Sequence, residues 1–166
     1  MHFEREEFLL HPADEVYPLV RDRILDLLPR LPGIDSIEIV SRSTPAKGKT
    51  RVRSRWKIRP PALVGRLLPT AARVWEEDAL WIDKKYCVES TIQGYGYESR
   101  AKTFYEPASD YTRVRIVADV TFRPDAVEIP KENLDKIVAS AQDALREAIE
   151  PNMTALLEAI EAALTP

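Results

Sequence analysis

The feature that most constrains the fold is the run Arg51-Val52-Arg53-Ser54-Arg55-Trp56-Lys57-Ile58-Arg59, in which every odd position is cationic and the even positions are Val, Ser, Trp and Ile. Side chains alternate across a β-strand, so a period of two predicts a strand with one wet and one dry face. A helix would repeat its apolar residues every three or four positions instead. Arg113 to Phe122 follows the same scheme, with Val114, Ile116, Ala118, Val120 and Phe122 on one face. The mostly two-fold pattern extends from Ile34 to Phe122. Ile37 and Ile39 alternate with Ser36 and Glu38, and further strands are predicted near Val74 to Trp81, Tyr86 to Gln93 and Tyr97 to Tyr105. Thr44-Pro45-Ala46-Lys47-Gly48 and Gly94-Tyr95-Gly96 supply turns.

The period changes on both sides of this region. An extended, charge-alternating segment, Phe3 to Leu10, gives way at His11-Pro12 to ADEVYPLVRDRILDLLPRL. Pro12 suits the start of a helix, and Asp14 and Glu15 are acids where the helix dipole favours them. Pro18 and Pro29 interrupt the apolar pattern of Val16, Leu19, Val20, Ile24, Leu27 and Leu28. Two short helices are therefore predicted, ended by Leu31-Pro32-Gly33. Beyond Pro124, Leu134, Ile137, Val138, Ala141, Leu145, Ala148 and Ile149 recur at helical steps, and Met153, Leu156, Leu157, Ile160 and Leu164 continue the stripe past Pro151. This predicts a long terminal helix with a kink near Glu147 to Pro151. The order is strand, two short helices, about six antiparallel strands and a long helix, which specifies an α+β fold with a helix laid on a sheet.

Composition removes several function classes. The 166 residues suit one domain over 1–166, and no stretch reads as an interdomain linker. A formal net charge of -3 gives no electrostatic reason to bind nucleic acid. The lone Cys87 makes neither an internal disulfide nor a thiolate metal site, which fits a reducing, cytoplasmic setting. The opening MHFEREEFLL lacks the basic-then-apolar order of a signal peptide, and nothing approaches the roughly 20 apolar residues of a membrane span. With five Gly and no phosphate-loop or dinucleotide motif, no nucleotide cofactor is expected.

Catalytic groups are sparse. A nucleophile triad would need His11, at a helix start where capping or plain exposure is expected, so no catalytic residue is assigned. Glu76, Glu77 and Asp78 lie beside Trp75. Neighbouring carboxylates on a strand point to opposite faces, so they read as a solvated edge, not a general acid or a metal site. Arg51, Arg53 and Arg55 with Arg113 and Arg115 form an anion patch if their strands are neighbours, or else pair with acids such as Glu89 and Glu98.

The segment Leu10 to Asp22 is similar to the P-x-E-x-V-[FWY]-x-L-x-x-D opening of the START-like or Bet v 1-like superfamily, which includes the polyketide cyclase and coenzyme-Q-binding families. The Leu31-Pro32 break and the order of elements extend the likeness along the chain. The resemblance implies a helix-grip fold, a sheet of about seven strands curved around the terminal helix with a cavity between them. It carries over no catalytic residue. The dry strand faces and the helix stripe nominate Trp56, Ile58, Val114, Ile116, Val120, Ile137, Ala141, Leu145 and Ile149 as its lining, with Tyr97 at the turn. The same residues would equally fill a solid core. The apolar segment Arg59 to Pro69 is core cover, a lid hinged at Gly65, a homodimer contact or a membrane-docking surface. Three functions follow: a binder or carrier of a lipid, quinone or polyketide-like molecule; an aromatase or cyclase, which needs a titratable group among the wall residues; or an interaction protein with a filled core.

Overall fold

The computed structural model describes residues 1–59, 73–123 and 153–165. Its strands are β1 (His2–Leu9), β2 (Ile34–Ala46), β3 (Lys49–Ile58), β4 (Val74–Ile82), β5 (Cys87–Gly94), β6 (Tyr97–Ala108) and β7 (Tyr111–Phe122). They form one curved seven-stranded sheet in the order β1-β7-β6-β5-β4-β3-β2, antiparallel throughout. The central strands match the two-residue period read from the sequence. Three hairpins close in two residues, with Gly48, Gly96 and Ser109 at φ 71°, 75° and 58°. Left-handed residues in such short turns match the twist of the strands they join. The predicted lid and the predicted kink near residues 147–151 fall outside the described residues, apart from Arg59.

β1 and β2 lie at opposite edges, so the chain between them must cross the sheet. Helix α1 (Ala13–Leu27) does this, followed by a 3₁₀ turn, Leu28–Arg30. The expectation of two short helices broken at Pro18 needs correction. The helix runs through Pro18 and kinks five residues later, at Arg23 (φ −128°, ψ 25°). Pro18 removes only the hydrogen bond to the carbonyl of Asp14, an exposed residue, where water can serve instead. Pro29 sits in the first turn of the 3₁₀ segment, where a missing donor costs nothing.

The core lies between α1, the sheet and the terminal helix, which is described over residues 153–164. Val16, Tyr17, Leu27 and Leu9 are sealed from solvent, as are Ala159 and Ile160 of the terminal helix. The predicted stripe holds here: Leu156, Leu157 and Leu164 pack on the same core. Polar ties fix the helix to the start of the chain. Leu10 N donates to Glu161 Oε1 at 2.5 Å, Arg5 Nη2 to Thr154 Oγ1 at 3.1 Å, and His11 Nε2 lies 3.4 Å from Glu161. His11 therefore caps nothing and is largely covered; Pro12 holds the cap position. No helix among the described residues is long and apolar enough to cross a membrane.

The convex face carries the cationic columns. Arg51 makes two 2.7 Å hydrogen bonds to Asp78, Arg55 reaches Glu76 at 3.0 Å, and Arg113 and Arg115 both pair with Glu106. Three strands separate β3 from β7, so the columns form no shared anion patch. Pairing with acids was the correct alternative, but with different acids: Glu89 takes Lys102 and Glu98 takes Arg100 and Arg123. Such exposed pairs are worth roughly 0–1 kcal/mol each.

Candidate ligand-binding face

The register places the concave face residue by residue. Across β3, β4, β5, β6 and β7, one row reads Val52, Ala79, Ser90, Ala101 and Ala118. Small side chains thus run across the middle of the sheet, where they fill little of the space in front of it. One residue pair along the strands, the next row reads Ser54, Glu77, Ile92, Ser99 and Val120. Beyond it Trp56 faces Trp75, their rings stacked with centroids 5.9 Å apart and planes 28° apart. On the other side of the small row, Trp81 and Tyr105 meet Tyr17 of α1 and close that end.

Glu77 is the one carboxylate on the concave face of β3 to β6 among the described residues. Trp56 Nε1 donates to its Oε2 at 3.1 Å and Ser54 Oγ donates to the same oxygen at 3.3 Å; Trp56 Nε1 is also 2.8 Å from Ser54 Oγ. Burial pushes the Glu77 carboxyl above the usual carboxylate range, against the opposing pull of hydrogen bonds from Ser54, Trp56 and Ser90. The residue as a whole is not fully enclosed.

This overturns the solvated-edge reading of Glu76, Glu77 and Asp78. β4 is an interior strand, and only Glu76 and Asp78 face outward, where they pair with Arg55 and Arg51. The signal that could have found Glu77 was present: Trp75, Glu77, Ala79 and Trp81 are in phase, so the outward neighbours of Glu77 could not share its face.

Of the residues nominated from the sequence, Trp56, Ile58, Ile116 and Tyr97 are half-buried, whereas Val114 and Val120 are fully enclosed. Ile137, Ala141, Leu145 and Ile149 lie outside the described residues. Burial raises the Tyr97 phenol to about 12. Its ring covers Gly94, the partner residue on β5: a Cβ added there would lie 2.2 Å from Tyr97 Cε1 and 2.3 Å from Cζ. Gly94→Ala must displace the ring, and overpacking of this kind costs about 1–3 kcal/mol in urea unfolding. The cost should shrink in a Tyr97→Ala background; equal costs in both backgrounds would refute the contact.

A separate open cleft of about 540 Å³ lies between β1 and the terminal helix, lined by Arg5, Glu7, Leu9, Leu157 and Glu161 among others. None of the nominated residues among those described borders it. Its charges are mutually engaged, with Arg5 2.7 Å from Glu7. Among the described residues no cluster of His, Cys, Asp and Glu is arranged to hold a metal ion.

No family model and no curated protein matches the chain. Solved structures do. A protein of Thermus thermophilus superposes with a TM-score of 0.72 at 22% identity, covering 99% of this chain and 100% of its own. The Zhui aromatase/cyclase of Streptomyces sp. R1128 gives 0.68 at 15% identity over 98% and 92%. Norcoclaurine synthase of Thalictrum flavum gives 0.61 at 13% identity over 99% and 86%. Together with a START superfamily protein of Mycobacterium smegmatis (0.52, 14% identity, 90% and 94%), they define the architecture. The chain has the START/Bet v 1-like helix-grip fold, as its sequence resemblance implied.

Proposed function

We propose that this protein binds a small, largely apolar molecule in the hollow of its concave face. One observation carries the reading: Trp56, Ile58, Trp75, Ile92 and Tyr97 face inward yet keep accessible surface, while Tyr17, Trp81 and Tyr105 at the α1 end of the same face are buried. A filled core packs to crystal-like density and would have closed both ends. A hollow walled by aromatic and aliphatic side chains with one or two polar groups is the usual form of a small-molecule site. The similar aromatase/cyclase and norcoclaurine synthase structures support the reading at the level of the fold.

The chain's three tryptophans all lie on this face, Trp56 and Trp75 at its open end and Trp81 in the closed end, so intrinsic fluorescence reports on the hollow and on the packing that closes it. Titration with fatty acids, quinones and aromatic polyketides is expected to give a saturable change for at least one class. The response should weaken in a folded Trp56→Ala variant. Native mass spectrometry before and after organic extraction should show a co-purifying apolar mass. No response from any compound and no bound mass would instead support the filled-core, protein-contact reading.

Glu77 favours a second reading, in which the bound molecule is turned over as in an aromatase or cyclase. A buried carboxyl whose proton affinity is raised above the ordinary range is suited to exchange a proton with a ligand. Appearance of a product mass on incubation with a ligand found in the titration, lost in Glu77→Gln, would establish it.

A further inference from the structure

We infer that His11 is a pH-sensitive latch on the terminal helix: with its imidazole protonated it clamps the end of that helix to the first turn of α1, and with the ring neutral the clamp loosens. The latch depends on neither Glu77 nor a bound ligand. The ring lies between two acids, with Nε2 3.4 Å from Glu161 Oε2 on the terminal helix and Nδ1 3.9 Å from Glu15 Oε2 on α1. A neutral imidazole has one N–H and serves one of them; the protonated ring offers an N–H to each and a positive charge to both. Both partners of the closer pair are fixed in advance. The His11 carbonyl accepts from Oγ1 of the fully buried Thr112 at 2.6 Å, and Glu161 Oε1 is held by the backbone N–H of Leu10. The side chains of His11 and Glu161 are 17% and 29% exposed, so their pairing is less screened, and loses less side-chain freedom, than that of two mobile surface charges.

Among the described residues, the surroundings suit a cation at this point. The terminal helix ends beside the ring, with Thr165 Oγ1 3.4 Å from Nε2, and a helix C-terminus attracts positive charge. The N-terminus of α1 acts the other way, offset by Asp14 and Glu15 in its first turn. Glu158, one turn before Glu161, adds a further acid on the same helix. From β1, Arg5 faces this helix but is engaged by Glu7 and Thr154. From β7 comes the uncharged Thr112, whose neighbours Tyr111 and Arg113 point to the convex face, against Phe8 and Glu106. Arg5 thus ties down one end of the described helix and His11 the other. The apolar contacts of Leu156, Ala159 and Ile160 persist when the ring loses its proton, so the helix loosens without detaching.

The test is amide hydrogen exchange of the full chain, read as protection factors over residues 156–164 at about pH 5.5 and pH 8, the range in which histidine changes charge. At pH 5.5 the wild type is expected to be about three- to tenfold better protected than His11→Gln, the scale of one partly buried ion pair at a helix end. At pH 8 the ratio should fall toward one. Glu77 and the other titrating groups are the same in both proteins and cancel in the ratio. His11→Lys, a permanent cation, should keep the protection at both pH values, and Glu161→Gln should lose it at pH 5.5. Unchanged protection in β5 and β6 shows that each variant is folded and that the effect is local. A ratio of one at pH 5.5, or a ratio that does not vary with pH, would overturn the latch. So would an equal loss of protection in β5 and β6, which would make His11 a support of the whole domain and not of the helix.

Discussion

Replacing Tyr17 by alanine should cost about 3–5 kcal/mol in chemical denaturation, the range for removing a fully buried aromatic side chain from a core that cannot collapse around the gap. Tyr17 is 2% exposed, and its ring meets Trp81, Tyr86 and Tyr105 edge-on at centroid distances of 5.4, 5.4 and 5.7 Å. It thereby joins α1 to β4, to β6 and to the turn before β5. Tyr86 sits in that turn at φ 43°, a left-handed conformation that disfavours bulky residues. Removing Tyr17 withdraws part of the packing that holds it there. The hydroxyl matters less: its partners, Asp83 Oδ1 and the carbonyl of Cys87, are both 3.4 Å away. Tyr17→Phe should therefore cost no more than about 0.5–1.5 kcal/mol. A Tyr17→Ala loss as small as the Phe variant's would mean that α1 does not plug the sheet as described. Since whole domains are stable by about 5–15 kcal/mol, the alanine variant should also lose any ligand response that depends on the closed end of the hollow.

Tyr17 occupies the aromatic position of the Leu10 to Asp22 motif, so its importance was legible in the sequence before its contacts were. The same holds for the sheet. Alternation in β3 and β7 was readable because a period of two has no other common cause, and the glycine-bearing turns at Gly48 and Gly96 fixed two hairpins. The course of α1 was less legible. Proline in a helix usually breaks it, but Pro18 follows soon after the helix start and orphans the carbonyl of an exposed residue, so burial of Val16, Tyr17, Leu19 and Val20 outweighs the lost hydrogen bond. Ion-pair partners were legible only as a class. Arg51 and Asp78 are far apart in sequence and meet because β3 and β4 pair in one register, which alternation alone does not set. The site had the same difficulty. A glutamate between two other acids resembles a solvated patch until its phase with Trp75, Ala79 and Trp81 is counted.

That phase leads to the second large expected effect: Glu77→Gln should stabilise the protein at neutral and alkaline pH. The folded state raises the proton affinity of Glu77 above the ordinary value near 4.5, mainly by burial. Around and below that ordinary value both folded and unfolded chains hold the proton, and the group costs nothing. As pH rises, the unfolded chain ionises freely while the folded chain resists, so stability falls until the folded pKa is passed. The variant is therefore expected to be the more stable protein at pH 8, with the difference fading toward pH 5. Gln has nearly the same shape, and its oxygen can accept from Trp56 and Ser54 as Oε2 does, so packing should be preserved. Asp22, Asp78 and Glu89, whose carboxyls are held low by Arg21, Arg51 and Lys102, lose their stabilisation only as pH falls below the ordinary carboxylate range. They act alike in both proteins and cancel in the difference. Urea unfolding of the two proteins from pH 5 to pH 8 measures it. A variant less stable at pH 8, or a difference independent of pH, would mean that Glu77 is ionised and held by a partner. The expected result would identify Glu77 as a residue that lowers stability while giving the concave face its polar group.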